Sequence, residues 1–176
     1  RNGVCFYQHD IPYESWRAEQ CVINPDGAIP VLLWGDSFAA HYAPGIMDTA
    51  SQARVYQYTA AGCPPVLSYY SYALPQCQAF NANALRIVED LKIKRVILSA
   101  RWVDLQRRGL DRLRSTLDAL AQRGVEVFVI GQSPMFITNA PEIVARTGKD
   151  AWSMSIEPRI NGELRTVSAG AHFIDP

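Results

Sequence analysis

Residues 29–41 of the chain, IPVLLWGDSFAAH, decide how the rest of the sequence is interpreted. The apolar run at residues 29–34 predicts a buried strand, residues 35–37 (Gly-Asp-Ser) predict a tight turn, and a helix is predicted to begin near Phe38. A continuous apolar strand that leads through a turn into a helix is typical of parallel sheets, whose two faces are both covered by helices. The stretch therefore predicts the first strand of an α/β fold.

The same alternation of strands and helices continues to the end of the chain. Further strands are predicted at residues 55–59, 95–99, 125–131 and 171–174, and helices at residues 80–91, 110–121 and 157–169. The long connection at residues 132–156 is predicted to hold one short helix at most. These elements predict a flavodoxin-like three-layer α/β/α sandwich with a parallel sheet in the order 2-1-3-4-5, counted from the strand at residues 29–34.

The composition suits one globular domain. The 176 residues are 48% hydrophobic, which is enough apolar material for a core. Seventeen basic and 17 acidic residues give a formal net charge of zero, which argues against a nucleic-acid-binding protein. No apolar run approaches the ~18–20 residues of a membrane-spanning helix, so we expect the segment itself to be soluble. Because the chain opens with Arg1 and stops at Pro176, we expect it to be part of a longer protein.

The four cysteines lie in two local pairs, Cys5 with Cys21 and Cys63 with Cys77. None forms a C-x-x-C motif, so the sequence gives little support to a zinc site, and no metal is predicted. Of the three possible pairings, spacing favours the disulfides Cys5–Cys21 and Cys63–Cys77, which are typical of an oxidising compartment. Four free thiols in a cytosolic protein are the alternative. Residues 1–28 then form a disulfide-stapled strap that leads into the α/β domain at residues 29–176.

Ser37 follows the first predicted strand and stands near the start of the next helix. Open α/β sheets bind their ligands at the carboxyl ends of the strands, and backbone N–H groups there favour a developing negative charge. Ser37 is therefore a candidate nucleophile. The alternative is an ordinary helix N-cap, for which Asp and Ser are both common.

Three segments in this order resemble a known family: LLWGDSFAAHYAPGI (residues 32–46), TAAGCPPV (59–66) and VILSARW (96–102). They resemble the SGNH (GDSL-like) hydrolases, and most closely the periplasmic SGNH domain fused to acyltransferase-3 membrane proteins, over roughly residues 5–176. The resemblance implies a serine-dependent O-acetyltransferase or esterase that modifies cell-surface carbohydrate. It also implies a periplasmic domain of an inner-membrane protein, an acetyl donor delivered by a membrane acyltransferase domain, and no cofactor.

Carried onto matching positions, the resemblance makes Ser37 the nucleophile and assigns the backbone N–H groups of Ser37 and Gly62 to the oxyanion hole. The family's third block has an Asn donor, whereas this chain has Arg101 two residues after Ser99, so Arg101 is a candidate third donor. A turn glycine at Gly62 and a structural arginine at Arg101 are the alternatives. The family's last block, Asp-x-x-His, is not found, since no aspartate stands three residues before His9, His41 or His172. We expect that block to follow Pro176; His41, one helical turn after Ser37, is the alternative base.

Several functional readings remain open at the level of sequence. Water as the acceptor in place of a sugar gives a carbohydrate O-acetyl esterase, and a chain without a working base gives a degenerate carbohydrate-binding module. Tyr69, Tyr70 and Tyr72 lie within the loop closed by Cys63 and Cys77, where their rings either stack on sugars or pack against each other. Trp152 is a further candidate for the pocket rim.

Overall fold

The computed structural model describes residues 3–8, 13–106, 109–136, 138–149 and 157–176. The strands are β1 (Phe6–Tyr7), β2 (Val22–Ile23), β3 (Ile29–Gly35), β4 (Ala53–Ala60), β5 (Arg95–Ser99), β6 (Glu126–Ile130) and β7 (His172–Ile174). The helices are α1 (Ala18–Cys21), α2 (Ser37–His41), α3 (Ala43–Thr49), α4 (Cys77–Asp90), α5 (Val103–Gln106), α6 (Leu113–Ala121), α7 (Ala140–Thr147) and α8 (Glu157–Val167). His9 and Trp152, both considered above, lie outside the described residues.

The strands form one sheet in the order β1-β4-β3-β5-β6-β7, and every neighbouring pair along this path is parallel. The five predicted strands correspond to β3, β4, β5, β6 and β7, so the predicted order 2-1-3-4-5 is confirmed. The chain leaves β3 in one direction to reach β4 and then crosses back to β5 on the other side of β3. This reversal opens a crevice at the carboxyl end of β3, where ligands bind in such sheets.

The N-terminal segment also contributes two short strands to the sheet. β1 pairs with β4 in parallel, with Phe6 opposite Thr59, and β2 pairs with β4 in the antiparallel direction. The disulfide Cys5–Cys21 joins the two strand regions, with a Cα–Cα distance of 5.3 Å. The sequence did not predict these strands, because two residues are too few to show a period.

The two faces of the sheet are covered unequally. On one face α4, α6 and α8 enclose the larger core, which includes Trp34, Tyr58 and Leu98. On the other face α2 and α3 enclose a small cluster that includes Leu33 and Val55. Because side chains alternate along a strand, every second residue of β4 from Val55 onward faces α2 and α3.

Helix boundaries differ from the predictions in places that have physical causes. The helix predicted to begin near Phe38 is divided into α2 and α3, because Pro44 in the first turn of α3 has no N–H to continue the ladder. The helix predicted at residues 110–121 begins with a 3₁₀ turn, Leu110–Arg112, before α6. Within the described ranges, none of the helices is both long and apolar enough to cross a bilayer.

Candidate active site

Ser37 is the first residue of α2 and follows β3 after a single intervening residue, Asp36. Its side chain is partly exposed, and its Oγ makes no hydrogen bond to any of the described residues. The helix therefore does not use the Ser37 hydroxyl as a cap. The cap is Asp36, whose carboxylate accepts a hydrogen bond from the N–H of Phe38 at 2.8 Å.

Asp36 also joins two loops at the carboxyl edge of the sheet. Its second carboxylate oxygen accepts a hydrogen bond from the N–H of Arg101 at 2.9 Å, which ties the loop after β5 to the turn after β3. The side chain is only 3% exposed. Burial raises the pKa of Asp36 to about 6, against the opposing effect of the two backbone hydrogen bonds.

A glycine at position 35 allows the ends of β3 and β5 to approach each other closely. Gly35 pairs with Ser99 in the sheet, and a Cβ added to Gly35 would collide with the backbone oxygen of Ser99. Gly35 also pairs with Thr59 on its other side. The loops that carry Ser37, Gly62 and Arg101 thus leave the sheet side by side.

Gly62 lies in the turn that follows β4 and has a φ of 66°, a conformation that costs other residues about 1–2 kcal/mol. Its N–H takes part in no hydrogen bond among the described residues, and the same holds for the N–H of Ser37. Both groups are therefore available as hydrogen-bond donors. That these two N–H groups form an oxyanion hole stays a prediction.

The loop that follows Gly62 is fixed by a disulfide and by one buried amide. Cys63 and Cys77 form the second disulfide, with a Cα–Cα distance of 5.6 Å. The side chain of Asn81 on α4 donates to the carbonyls of Pro64 and Val66, both at 2.9 Å, and accepts from Trp34 Nε1 at 3.0 Å. Asn81 thereby links the Trp34 indole on β3 to the loop that follows Gly62.

Arg101 has only its side chain left as a hydrogen-bond donor. Its backbone N–H is already donated to Asp36, so only the guanidinium can reach a substrate. That guanidinium forms a half-exposed ion pair with Asp104 at 3.6 Å. The next residue, Trp102, is fully buried and donates from Nε1 to the carbonyl of Ile130 at 2.8 Å, which holds the loop against the end of β6.

The two described histidines lie in different surroundings. His41 ends α2, is exposed, and contacts the ring of Phe38 with centroids 5.9 Å apart. His172 lies on β7, stacks on Phe128, and approaches Glu126 with its Nε2 at 3.1 Å. The contacts of His172 are therefore with residues of β6, whereas His41 lies on the same helix as Ser37.

A pocket of about 260 Å³, here called the Ser37 pocket, opens beside the nucleophile candidate. It lies between α2, α3 and the sheet edge formed by β1 and β4, and its lining includes Phe6, Ser37, Ala40, Pro44, Met47 and Gln57. His41 also borders it. Sequence reasoning did not identify Phe6 and Gln57, which lie on other elements than Ser37. The sequence signal that could have pointed to Gln57 is its polar side chain among the mainly apolar and aromatic residues of a strand.

The three tyrosines of the loop closed by the second disulfide are divided between core and surface. Tyr69 is buried in the larger core, whereas Tyr72 is 91% exposed and meets the half-exposed Tyr70 edge-on at 5.2 Å. Among the described residues there is no group of three or more His, Cys, Asp or Glu side chains that could hold a metal ion.

Comparison with solved structures finds the same fold. The periplasmic domain of a lipopolysaccharide acetyltransferase from Salmonella ser. Paratyphi A superimposes with a TM-score of 0.70 at 16% identity, covering 98% of this chain and 74% of the other. A protein from Bacteroides fragilis assigned as an acylhydrolase superimposes with a TM-score of 0.52 at 14% identity, covering 90% of this chain and 74% of the other. A comparison with curated protein sequences finds no match.

The family match covers nearly the whole chain. Residues 4–174 match the family described as the SGNH domain fused to AT3 domains. The serine after β3, the glycine after β4 and the mostly parallel sheet flanked by helices are the features that the sequence resemblance predicted. The chain therefore belongs to the family of SGNH domains that are fused to AT3 domains.

Proposed function

We propose that this domain transfers an acetyl group to a hydroxyl of a cell-surface carbohydrate, with Ser37 as the nucleophile. The observation that carries the proposal is the Ser37 hydroxyl, which is partly exposed and not engaged by its own helix, beside a pocket at the carboxyl edge of the sheet. Family membership and the fold shared with an acetyltransferase periplasmic domain support the acyl-transfer class.

The proposed reaction has two steps, acylation of Ser37 and transfer of the acyl group to the sugar hydroxyl. Ser37 Oγ bonds to the acyl carbonyl carbon while the bond to the donor's leaving group breaks, and the serine proton passes to that leaving group. A carbohydrate hydroxyl then attacks the acyl-serine, the ester bond to Ser37 breaks, and the proton of the sugar hydroxyl returns to Oγ. We assign the N–H groups of Ser37 and Gly62 to the negative oxygen of both tetrahedral intermediates, because neither is spent on another acceptor among the described residues.

The guanidinium of Arg101 is the proposed third group at this site. It follows β5 at the edge where Ser37 follows β3, and a positive charge there stabilises an anionic intermediate. The family's fusion to AT3 domains supports a membrane acyltransferase domain as the source of the acetyl group. The two disulfides, together with the periplasmic neighbour, support a periplasmic location.

The test uses the protein encoded by the complete gene, expressed in cells whose surface polysaccharide is then analysed for O-acetyl groups by NMR. Ser37→Ala is expected to abolish O-acetylation and to leave the unfolding midpoint of the purified 176-residue domain nearly unchanged. Ser115→Ala, which alters an exposed serine on α6, is the matched control and should acetylate normally. Unchanged O-acetylation in Ser37→Ala would contradict the proposal and favour the carbohydrate-binding module.

The esterase alternative is separated by following the product. A transferase releases acetylated carbohydrate, whereas an esterase acting on the same carbohydrate releases free acetate and lowers the O-acetyl content. His41→Ala serves as a second comparison, because His41 shares α2 with Ser37. Since His41 lies outside any Asp-x-x-His motif, we expect this variant to retain O-acetylation.

A further inference from the structure

Asn81 is a polar side chain within an apolar environment. It lies on α4 and is fully buried, and Phe80 and Ala84 of the same helix belong to the larger core. Burying an amide costs free energy unless its polar atoms form hydrogen bonds. Asn81 forms three, so its burial is compensated and its side chain is held in one orientation.

The partners of Asn81 fix which way its amide points. The indole Nε1 of Trp34 can only donate, so it faces Oδ1, at 3.0 Å. The carbonyls of Pro64 and Val66 can only accept, so both face Nδ2, each at 2.9 Å. Because an amide supplies one acceptor and two donors at once, this position selects an amide side chain.

These three hydrogen bonds join the two segments that carry the proposed reacting groups. Trp34 lies on β3, three residues before Ser37. The two carbonyls belong to the loop that carries Gly62 and follow that glycine by two and four residues. Asn81 therefore connects the strand that leads to the candidate nucleophile with the loop of the candidate oxyanion donor.

Gly62 depends on its neighbours for its orientation. Glycine has more backbone freedom than any other residue, and the Gly62 N–H makes no hydrogen bond to a described residue. Before it, the N–H of Ala61 donates to the carbonyl of Tyr7 at 2.8 Å. After it, the disulfide fixes Cys63, and Asn81 holds the two carbonyls beyond that cysteine. Loss of Asn81 would therefore release the loop on one side of Gly62.

We propose that Asn81 is a positioning residue for acyl transfer, and that it holds the N–H of Gly62 in place relative to the strand that presents Ser37. The inference rests on the proposed function, since it explains how the oxyanion donor of that reaction is held. Asn81 is fully buried, so it acts through the loop rather than on the substrate. An oxyanion donor works only at hydrogen-bond distance from the developing charge, so a small displacement of Gly62 slows the reaction without weakening binding.

The same loop has a second buried anchor that does not reach β3. Thr116 on α6 is also fully buried, and its Oγ1 accepts a hydrogen bond from the N–H of Leu67 at 3.1 Å. Thr116→Val removes this hydrogen bond with little change of shape. It weakens the loop but leaves the connection through Asn81 intact, so it is the matched control for Asn81→Leu.

The test measures how fast the nucleophile reacts. The protein encoded by the complete gene, in isolated membranes, is treated with a fluorophosphonate at several concentrations. Ser37 Oγ bonds to phosphorus, the phosphorus–fluorine bond breaks, and the serine proton leaves with the fluoride. The phosphoryl oxygen takes the position of the oxyanion, so the limiting rate of labelling, kinact, reports on the donors. The half-saturating concentration, KI, reports on binding of the probe.

Asn81→Leu is expected to lower kinact about 10²-fold and to leave KI unchanged. Thr116→Val should leave both unchanged. A loss of stability alone would reduce the amount of protein that is labelled, but not kinact of the folded fraction.

Urea unfolding of the 176-residue chain checks that each variant folds. If Asn81→Leu does not fold, Trp34→Phe takes its place, because it removes the indole N–H and leaves both bonds from Asn81 to the loop. Trp34→Phe should also lower kinact and leave KI unchanged.

The proposal is overturned if folded Asn81→Leu, or Trp34→Phe in its place, keeps a normal kinact, or if Thr116→Val lowers kinact to the same extent. Ser37→Ala separates this inference from the proposed function, since that variant should not be labelled. Labelling of Ser37→Ala at the normal rate would overturn the proposed function and the inference with it. No labelling of Ser37→Ala, together with a normal kinact in Asn81→Leu, would overturn only the role of Asn81.

Discussion

Replacing Asp36 by asparagine tests the balance of forces in the turn before Ser37. Asp36 is buried and accepts two backbone hydrogen bonds, so burial disfavours its charge while the N–H groups favour it. Burial is the larger effect and raises the pKa of Asp36 to about 6, from an ordinary value of 3.8. That difference, at roughly 1.4 kcal/mol per pH unit, corresponds to about 3 kcal/mol of folding free energy.

The sign follows from proton binding. Between pH 3.8 and about 6 the folded state holds the Asp36 proton more tightly than the unfolded state does. The contribution of Asp36 to stability is therefore fully present below pH 3.8 and is lost as the pH rises through about 6. An asparagine side chain cannot titrate, so the free energy of unfolding of the unmodified chain, minus that of Asp36→Asn, should fall by about 3 kcal/mol between about pH 3.5 and about pH 7.5.

The assay is urea unfolding of both chains at several pH values across this range, analysed as the difference between them. Most other titrating groups cancel in that difference. Asp118→Asn on α6 is the control, because its carboxylate is half-exposed and pairs with Arg114 at the surface. A flat difference for Asp36→Asn would show that the two backbone hydrogen bonds balance burial, and one that rises with pH would show that they outweigh it. Either result would refute the reasoning.

Two further predictions concern the loop that follows β4. Each disulfide closes a loop of about 15 residues and should contribute about 3 kcal/mol to stability. Replacing both Cys63 and Cys77 by Ser should therefore lower the free energy of unfolding in urea by that amount. Thiol titration of the unfolded, unreduced parent chain should find no free cysteine. Four free thiols would contradict it. Gly62→Ala should lower the free energy of unfolding by about 1–2 kcal/mol in the same assay, because position 62 has a positive φ. Gly45→Ala, at a helical position with open space where the Cβ would lie, should leave the free energy of unfolding unchanged or raise it. Equal effects of the two substitutions would contradict this account.

The sheet was predictable because its central strands have a distinctive composition. Residues 29–34 are a continuous apolar run, and residues 125–131 are a run interrupted only by Glu126. Such runs have few alternatives to a strand once helices with a 3.6-residue period separate them. The strand order was predicted from the flavodoxin-like class, in which the chain reverses direction after the second strand and so places the first strand between the second and the third. The edge strands β1 and β2 were not predictable, since their position depends on pairing with β4 rather than on any pattern of their own.

The candidate site could be proposed from the sequence only where its residues directly follow a predicted strand. Ser37 and Gly62 each stand directly after a predicted strand, and the topology brings the ends of those strands together. The role of Asp36 in joining the loops after β3 and β5 required the structure, because its contact with Arg101 spans 65 positions. Nothing in the spacing of the two residues indicates that contact.

The Ser37 pocket is lined by residues that lie far apart along the chain, which made it hard to predict from the sequence. Phe6 reaches it only because β1 lies against the end of β4, a placement that the disulfide Cys5–Cys21 supports from behind. Gln57 reaches it because the alternation along β4 turns that residue toward α2. The N-terminal segment is therefore part of one wall of the site as well as an edge of the sheet. A domain that lacked this segment would keep Ser37 in its turn and lose the aromatic wall beside it, so the candidate nucleophile and one wall of its pocket depend on different parts of the sequence.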